Sequence, residues 1–191
     1  MTRREIGLVR EPETGERRQE WGTVGTNDLR IDRETAETIV DALSVDFAGS
    51  FNLFYLLRKH YWTAEGAEFR EVAAFLEGAY KRVRAINDDL AVRIVELGGI
   101  PPNTPPTIQE RAKVRLEAED LYDLRASLAG DLEGYATLVA SVREHVELAR
   151  EVGDFGTAER LDDHLTALED DAHALEQFLE SDTLVLTEAT K

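Results

Sequence analysis

The sequence predicts an all-α protein, a four-helix bundle with a long crossover between helices two and three. Three observations carry this reading. Apolar residues recur at spacings of three and four over long stretches, glycines and prolines punctuate the chain at a few places only, and neither sustained heptads nor strand-like alternation appears. With 191 residues, 42% of them hydrophobic, the chain is long enough to bury one sizeable core and too short for a second full domain.

Residues 1–28 mix Arg3, Arg4, Arg10, Arg17 and Arg18 with Glu5, Glu11, Glu13, Glu16 and Glu20 and lack periodicity. They are expected to form an extended tail, anchored by Trp21. Asp32 is the expected N-cap of a first helix whose stripe runs Ile39, Leu43, Phe47, Phe51, Phe54, Leu57 and Tyr61. A second helix is expected from about Ala67 to Leu97, stopped by Gly98-Gly99 and by the prolines at 101, 102, 105 and 106. A third should span about Glu119 to Val152 and end at Gly153. A fourth follows within a few residues and reaches about Glu180. The bundle is thus placed at 29–181, with a C-terminal tail at 182–191. Short first and third connections make helices one and two, and three and four, antiparallel. The middle connection, about 20 residues long, can cross the bundle's full length, which is the connectivity of ferritin-like folds. The alternatives are a plain up-down bundle or a coiled-coil adaptor.

Composition narrows the function. No apolar run approaches the roughly 20 residues that span a bilayer, and the N-terminus lacks the apolar stretch of a secretory signal. A cytoplasmic protein without membrane contact is expected. Absence of cysteine removes disulfides, thiolate metal sites and a cysteine nucleophile. The net charge of −17 arises from 39 acidic against 22 basic residues, of which only Lys59, Lys81, Lys113 and Lys191 are lysine. Such a surface suits concentrated salt, where self-repulsion is screened within a few Å. It is a poor partner for phosphate backbones, and the tail's arginines are offset by glutamates, so DNA is not expected to be held tightly. No Walker loop, Gly-x-Gly-x-x-Gly, His-Glu-x-x-His or nucleophile elbow is present.

His60-Tyr61-Trp62 followed by Gly66 and Phe69 resembles a signature of the Dps family of ferritin-like proteins. So do Glu96-Leu97-Gly98-Gly99-Ile100-Pro101, Tyr122-Asp123-Leu124-Arg125, Val152-Gly153-Asp154-Phe155-Gly156-Thr157 and the run Asp170 to Leu179. Together these cover about residues 30 to 184 in family order. The resemblance implies a homo-oligomeric shell, a dodecamer, that oxidises ferrous iron, preferentially with hydrogen peroxide, and stores the ferric product. In some members it also coats DNA.

The resemblance further implies metal ligands at five positions, assembled across a two-fold interface: two histidines, an acidic position, an aspartate and a glutamate. Here they fall on Tyr61, Ala73, Glu77, Asp88 and Val92. Asp88 and Glu77 remain as candidate metal ligands, with Tyr61 as a phenolate or a filler. Eleven residues separate the two carboxylates, about 16 Å along a helix, so one subunit cannot use both on one ion. His60 lies one residue, about 100°, from the ligand position and serves only if the helix rotates or bulges; otherwise it is a hydrogen-bonded surface histidine. Trp62 is expected as an interface anchor. A di-iron site inside the bundle would need Glu-x-x-His motifs, and the nearest approach is Asp170-x-x-His173 with Asp46 opposite. Glu159, Asp162 and Asp163 match the positions where the family lines the pore through which ions enter; an ordinary acidic helix start is the alternative. Three readings follow: an iron-sequestering cage that protects against oxidative stress with weak or lost ferroxidase activity, a non-catalytic shell that binds partners, or a cage holding haem or flavin at the two-fold interface.

Overall fold

A computed structural model describes residue 12 and residues 14–180. The expected C-terminal tail, 182–191, lies outside the described residues, as do 1–11 and 13 of the expected N-terminal tail. Five helices are described: α1 (Arg33–Thr63), α2 (Phe69–Glu96), α3 (Pro105–Arg111), α4 (Leu124–Glu151) and α5 (Phe155–Leu179). The four long ones form the bundle. α1 packs against α2 and α4, and α5 against α4 and α2. Cross-links such as Asn87 Nδ2 to the Phe47 carbonyl (3.0 Å) and Tyr135 to Asp171 (3.2 Å) tie neighbouring helices together.

Local chemistry sets each boundary. Asp32 caps α1 as expected, its carboxylate accepting from Thr35 N–H at 3.0 Å, and its pKa is held below the usual carboxylate value by hydrogen bonds from Thr35. Asp123 and Asp154 cap α4 and α5 in the same way. α4 therefore starts at Leu124 rather than near Glu119. The crossover is not wholly irregular: Pro105 and Pro106 open the seven-residue α3. Proline blocks the continuation of a helix, but at the first helical position its missing N–H leaves no bond unmade.

The core runs the length of the bundle through fully buried Ile39, Leu43, Leu57, Leu76, Leu90, Ile94, Leu138, Leu161 and Leu168. α1 is long and apolar enough, by length and composition, to cross a membrane, although charged and polar residues interrupt it. In the fold most of that helix is buried inside the bundle, as befits a core helix.

The segment before α1 docks on the end of α2. Gly25 N–H donates to the Gly98 carbonyl at 2.8 Å and Gln19 Nε2 to the same oxygen at 2.9 Å, while Val24 is buried and its carbonyl accepts from Arg33. Trp21 lies beside the Arg111 guanidinium, 5.6 Å from ring centroid to Cζ. Gly98 has φ +85°, and a Cβ there would meet the Gly25 carbonyl oxygen at 2.8 Å. Gly98→Ala is expected to cost about 1–3 kcal/mol from the left-handed backbone alone and to loosen this strap. Urea denaturation together with amide exchange at Gly25 would register both effects.

Candidate functional site

The Tyr61 region is built by the end of α1 and the start of α2. Tyr61, Trp62, Phe69, Arg70, Ala73 and Glu77 line an open hollow of about 500 Å³. Tyr61 packs on Tyr80 at 5.5 Å between ring centroids. Trp62 is 64% exposed, with the Arg58 guanidinium 4.7 Å from its ring centroid, so within one chain it anchors nothing. Glu77 accepts from Lys81 at 2.5 Å, one turn along α2, and this bond raises the lysine's pKa.

Asp88 sits elsewhere, beside a smaller hollow of about 140 Å³ formed with Phe51, Phe54, Arg84 and Asn87. Its side chain is 72% exposed and its nearest cation is Arg84, at 3.9 Å. The helical spacing thus separates the two retained carboxylates as expected. Among the described residues no three His, Asp or Glu side chains converge as a metal-holding group.

His60 is not a surface histidine. It is 2% exposed and points into the bundle, with Nδ1 2.8 Å from both oxygens of the fully buried Asp131 and Nε2 3.1 Å from Glu117 Oε2. Lys59 Nζ donates to Glu117 at 2.6 Å, and Ser127 Oγ donates to its other oxygen at 2.9 Å. Lys59 also donates to the carbonyls of Ala118 and Asp120, fastening the crossover to the end of α1. With both ring nitrogens engaged by carboxylates, the one-residue offset from Tyr61 has its structural explanation: residue 61 faces the hollow and residue 60 the core.

Asp46 meets α4, not His173. Its carboxylate accepts from Ser141 Oγ and His145 Nδ1, each at 2.7 Å, whereas His173 is 73% exposed beside Glu176. Asp171 is likewise engaged, by Arg82 and by Tyr135, whose hydroxyl burial holds well above its usual pKa. Of the expected pore residues, Glu159 and Asp163 are exposed, and Asp162 is bonded by Arg150. The adjoining α2 and α5 faces are joined by Arg160 to Asp89 (2.7 Å) and by Arg93 to Asp154 (2.8 Å).

The buried polar clusters were the part sequence reasoning overlooked. The available signal was register: Asp46 and Asp131 each stand three residues after a core leucine, Leu43 and Leu128, where an apolar residue is the norm.

The Ferritin-like domain family matches residues 40–185. The DNA protection during starvation protein of Halobacterium salinarum is 47% identical over 161 residues, covering 84% of this chain and 88% of that protein. The chain belongs to the Dps family of ferritin-like proteins. A crystal structure of an archaeal Dps homologue from Halobacterium salinarum superposes with a TM-score of 0.88 at 45% identity, covering 92% of this chain and 98% of the other. The Dps protein of Vibrio cholerae O1, described as a member of a broad superfamily of ferritin-like diiron-carboxylate proteins, matches at a TM-score of 0.76 and 26% identity, covering 81% and 97%. A nutrient stress-induced DNA-binding protein of Nostoc is 27% identical over 168 residues, 88% of this chain and 91% of that protein. The all-helical Dps fold is therefore established.

Proposed function

We propose that this Dps protein is a cytoplasmic, twelve-subunit protective cage that takes up and stores iron, with the family's two-fold ferroxidase chemistry weakened or lost. The observation that carries the reading is the open α1–α2 hollow. Its apolar rim, with Trp62 and Phe69 both exposed, suits burial against a second copy, and among the described residues Glu77 is the one carboxylate that lines it.

The chemistry explains the expected weakness. Two ferrous ions held close together can give one electron each to a single peroxide and so avoid releasing hydroxyl radical. That requires several oxygen and imidazole ligands around the pair. Ala73 and Val92 supply none, and Tyr61 supplies a phenol. A partner copy can bring its Asp88 toward Glu77, giving a sparse carboxylate pair that binds ferrous iron weakly. Glu159 and Asp163 would still concentrate cations by focusing the field. Tight DNA binding is not part of the proposal, because the net charge of −17 opposes it.

The test adds limiting ferrous iron and then hydrogen peroxide to the protein in molar potassium chloride, followed by size separation. Ferric iron should co-elute with a roughly twelve-subunit particle, and retention should fall in Glu77→Gln plus Asp88→Asn. A large particle that stays empty while iron precipitates would overturn iron storage and favour the second reading, a non-catalytic shell.

A further inference from the structure

Oxidising equivalents that reach this chain have few places to end. It contains no cysteine, and its single methionine is Met1, so helices α1 to α5 lack the sulfur groups that ordinarily absorb oxidation and are afterwards repaired. The next most readily oxidised side chains are indoles and phenols, here two tryptophans and five tyrosines. Three of the tyrosines stand apart. Tyr135 is fully buried with its hydroxyl donating to Asp171 at 3.2 Å, Tyr122 is exposed beside Lys59, and Tyr55 is exposed against Phe51 and Phe54.

Tyr61 and Tyr80 are different. One ring comes from the last turn of α1 and the other from α2, with centroids 5.5 Å apart and planes at 58°; among the described residues they are the one pair of tyrosine rings in contact. Both are half-buried, and no protein group among the described residues hydrogen-bonds either hydroxyl. A phenol gives up an electron readily only when its proton leaves with it, and unbonded hydroxyls can release that proton to water. Glu77 lines the same hollow as Tyr61 and lies one turn before Tyr80 on α2. An oxidant formed at this carboxylate therefore arises beside both rings.

We infer that Tyr61 and Tyr80 form a paired oxidation sink, which captures two hydroxyl radicals and ends as a covalent dityrosine bridge between α1 and α2. Each hydroxyl radical takes the hydrogen atom of one phenol O–H and leaves as water, so that two neutral phenoxyl radicals remain. Their unpaired electrons spread to the ring carbons ortho to oxygen, where they pair as a new carbon–carbon bond. The hydrogen on each bonded carbon then moves to the oxygen of its own ring and restores the phenol. In sum, two hydroxyl radicals become two waters and the protein loses two hydrogen atoms. The tilted ring contact holds the partners together, and the free hydroxyls let the rings turn until the ortho carbons meet. Under the proposed function the radical source is ferrous iron reacting with peroxide one electron at a time in the depleted hollow, but the sink itself needs neither iron nor a closed cage.

The test exposes the full, metal-free chain to hydroxyl radical generated by radiolysis at neutral pH in molar potassium chloride. Blue dityrosine fluorescence should appear, and digestion should yield a joined pair of peptides carrying residues 61 and 80 and lighter by two hydrogens. Denaturing gels should still show a single-chain band. Tyr61→Phe and Tyr80→Phe keep the ring packing, checked by circular dichroism, and each should abolish the fluorescence; Tyr55→Phe should leave it unchanged. Bridges between separate chains, oxidation confined to Trp62, or fluorescence that survives in Tyr80→Phe would overturn the inference. A bridge that forms on radiolysis but not with ferrous iron and peroxide would uphold the sink and count against the iron source alone.

Discussion

Arg93→Met is expected to destabilise the fold by about 3–5 kcal/mol, the loss typical of removing one partner from a buried ion pair. Arg93 lies in the last turn of α2 with its side chain 8% exposed, and Asp154, its partner at 2.8 Å, is 3% exposed. The guanidinium also donates to Thr157 Oγ1 at 2.8 Å and to Glu96 at 3.0 Å. Asp154 is at the same time the N-cap of α5, accepting from Thr157 N–H at 3.1 Å. Methionine fills much of the space but leaves that carboxylate buried and uncompensated, so the α4–α5 turn and the α2–α5 contact fail together. Arg84→Met removes the cation of an exposed pair, 3.9 Å from Asp88 with both side chains about 70% exposed. It should cost no more than about 1 kcal/mol. Urea denaturation at fixed chain concentration and constant potassium chloride compares the two, and equal losses would refute the assignment of Arg93 as the buried tie.

The difference between those two arginines marks the limit of what the sequence discloses. Helices, caps and crossover were legible because they depend on local rules: Asp32 before a striped run, Gly98 after one, prolines between. Burial of charge was not. Arg84 and Arg93 look alike along the chain, and only the packing of α5 against α2 separates them. The same holds for His60 and Tyr61, whose opposite orientations follow from where α4 and the crossover lie. Helical spacing assigned His60 to a different face from Tyr61 but could not say that Asp131 and Glu117 waited there. α3 was hidden for another reason: proline was read as a stop, although it is equally a start.

His60→Leu should cost about 3–5 kcal/mol near neutral pH, because Asp131 would then be buried with no counter-charge, and it should also change how stability depends on pH. Burial pulls the His60 pKa down, but Asp131 and then Glu117 outweigh it, leaving the folded value above 6.5. A raised histidine contributes stability that is fully present below its unfolded pKa of about 6.5. That contribution is lost as pH rises through the folded value. Burial also pushes the Asp131 carboxyl upward against the pull of His60, which has the same sign, so the pair titrates as a unit. Glu117 behaves oppositely. Burial pushes it up, but hydrogen bonds from Lys59, His60 and Ser127 outweigh burial and hold it below 4.5, so its contribution is present above that value and fades as pH falls through the folded one. The parent's melting temperature should therefore decline on both sides of a plateau, and His60→Leu should flatten the alkaline decline while weakening the acid one, because Glu117 loses one of the hydrogen bonds that hold it low. An alkaline decline identical in both would show that His60 does not carry it. Because Lys59 and His60 bind the crossover and α4 to the last turns of α1, the same loss should loosen the end of the helix that presents Tyr61 and Trp62 to the hollow, so that the integrity of the candidate iron site follows the protonation of a residue that never enters it.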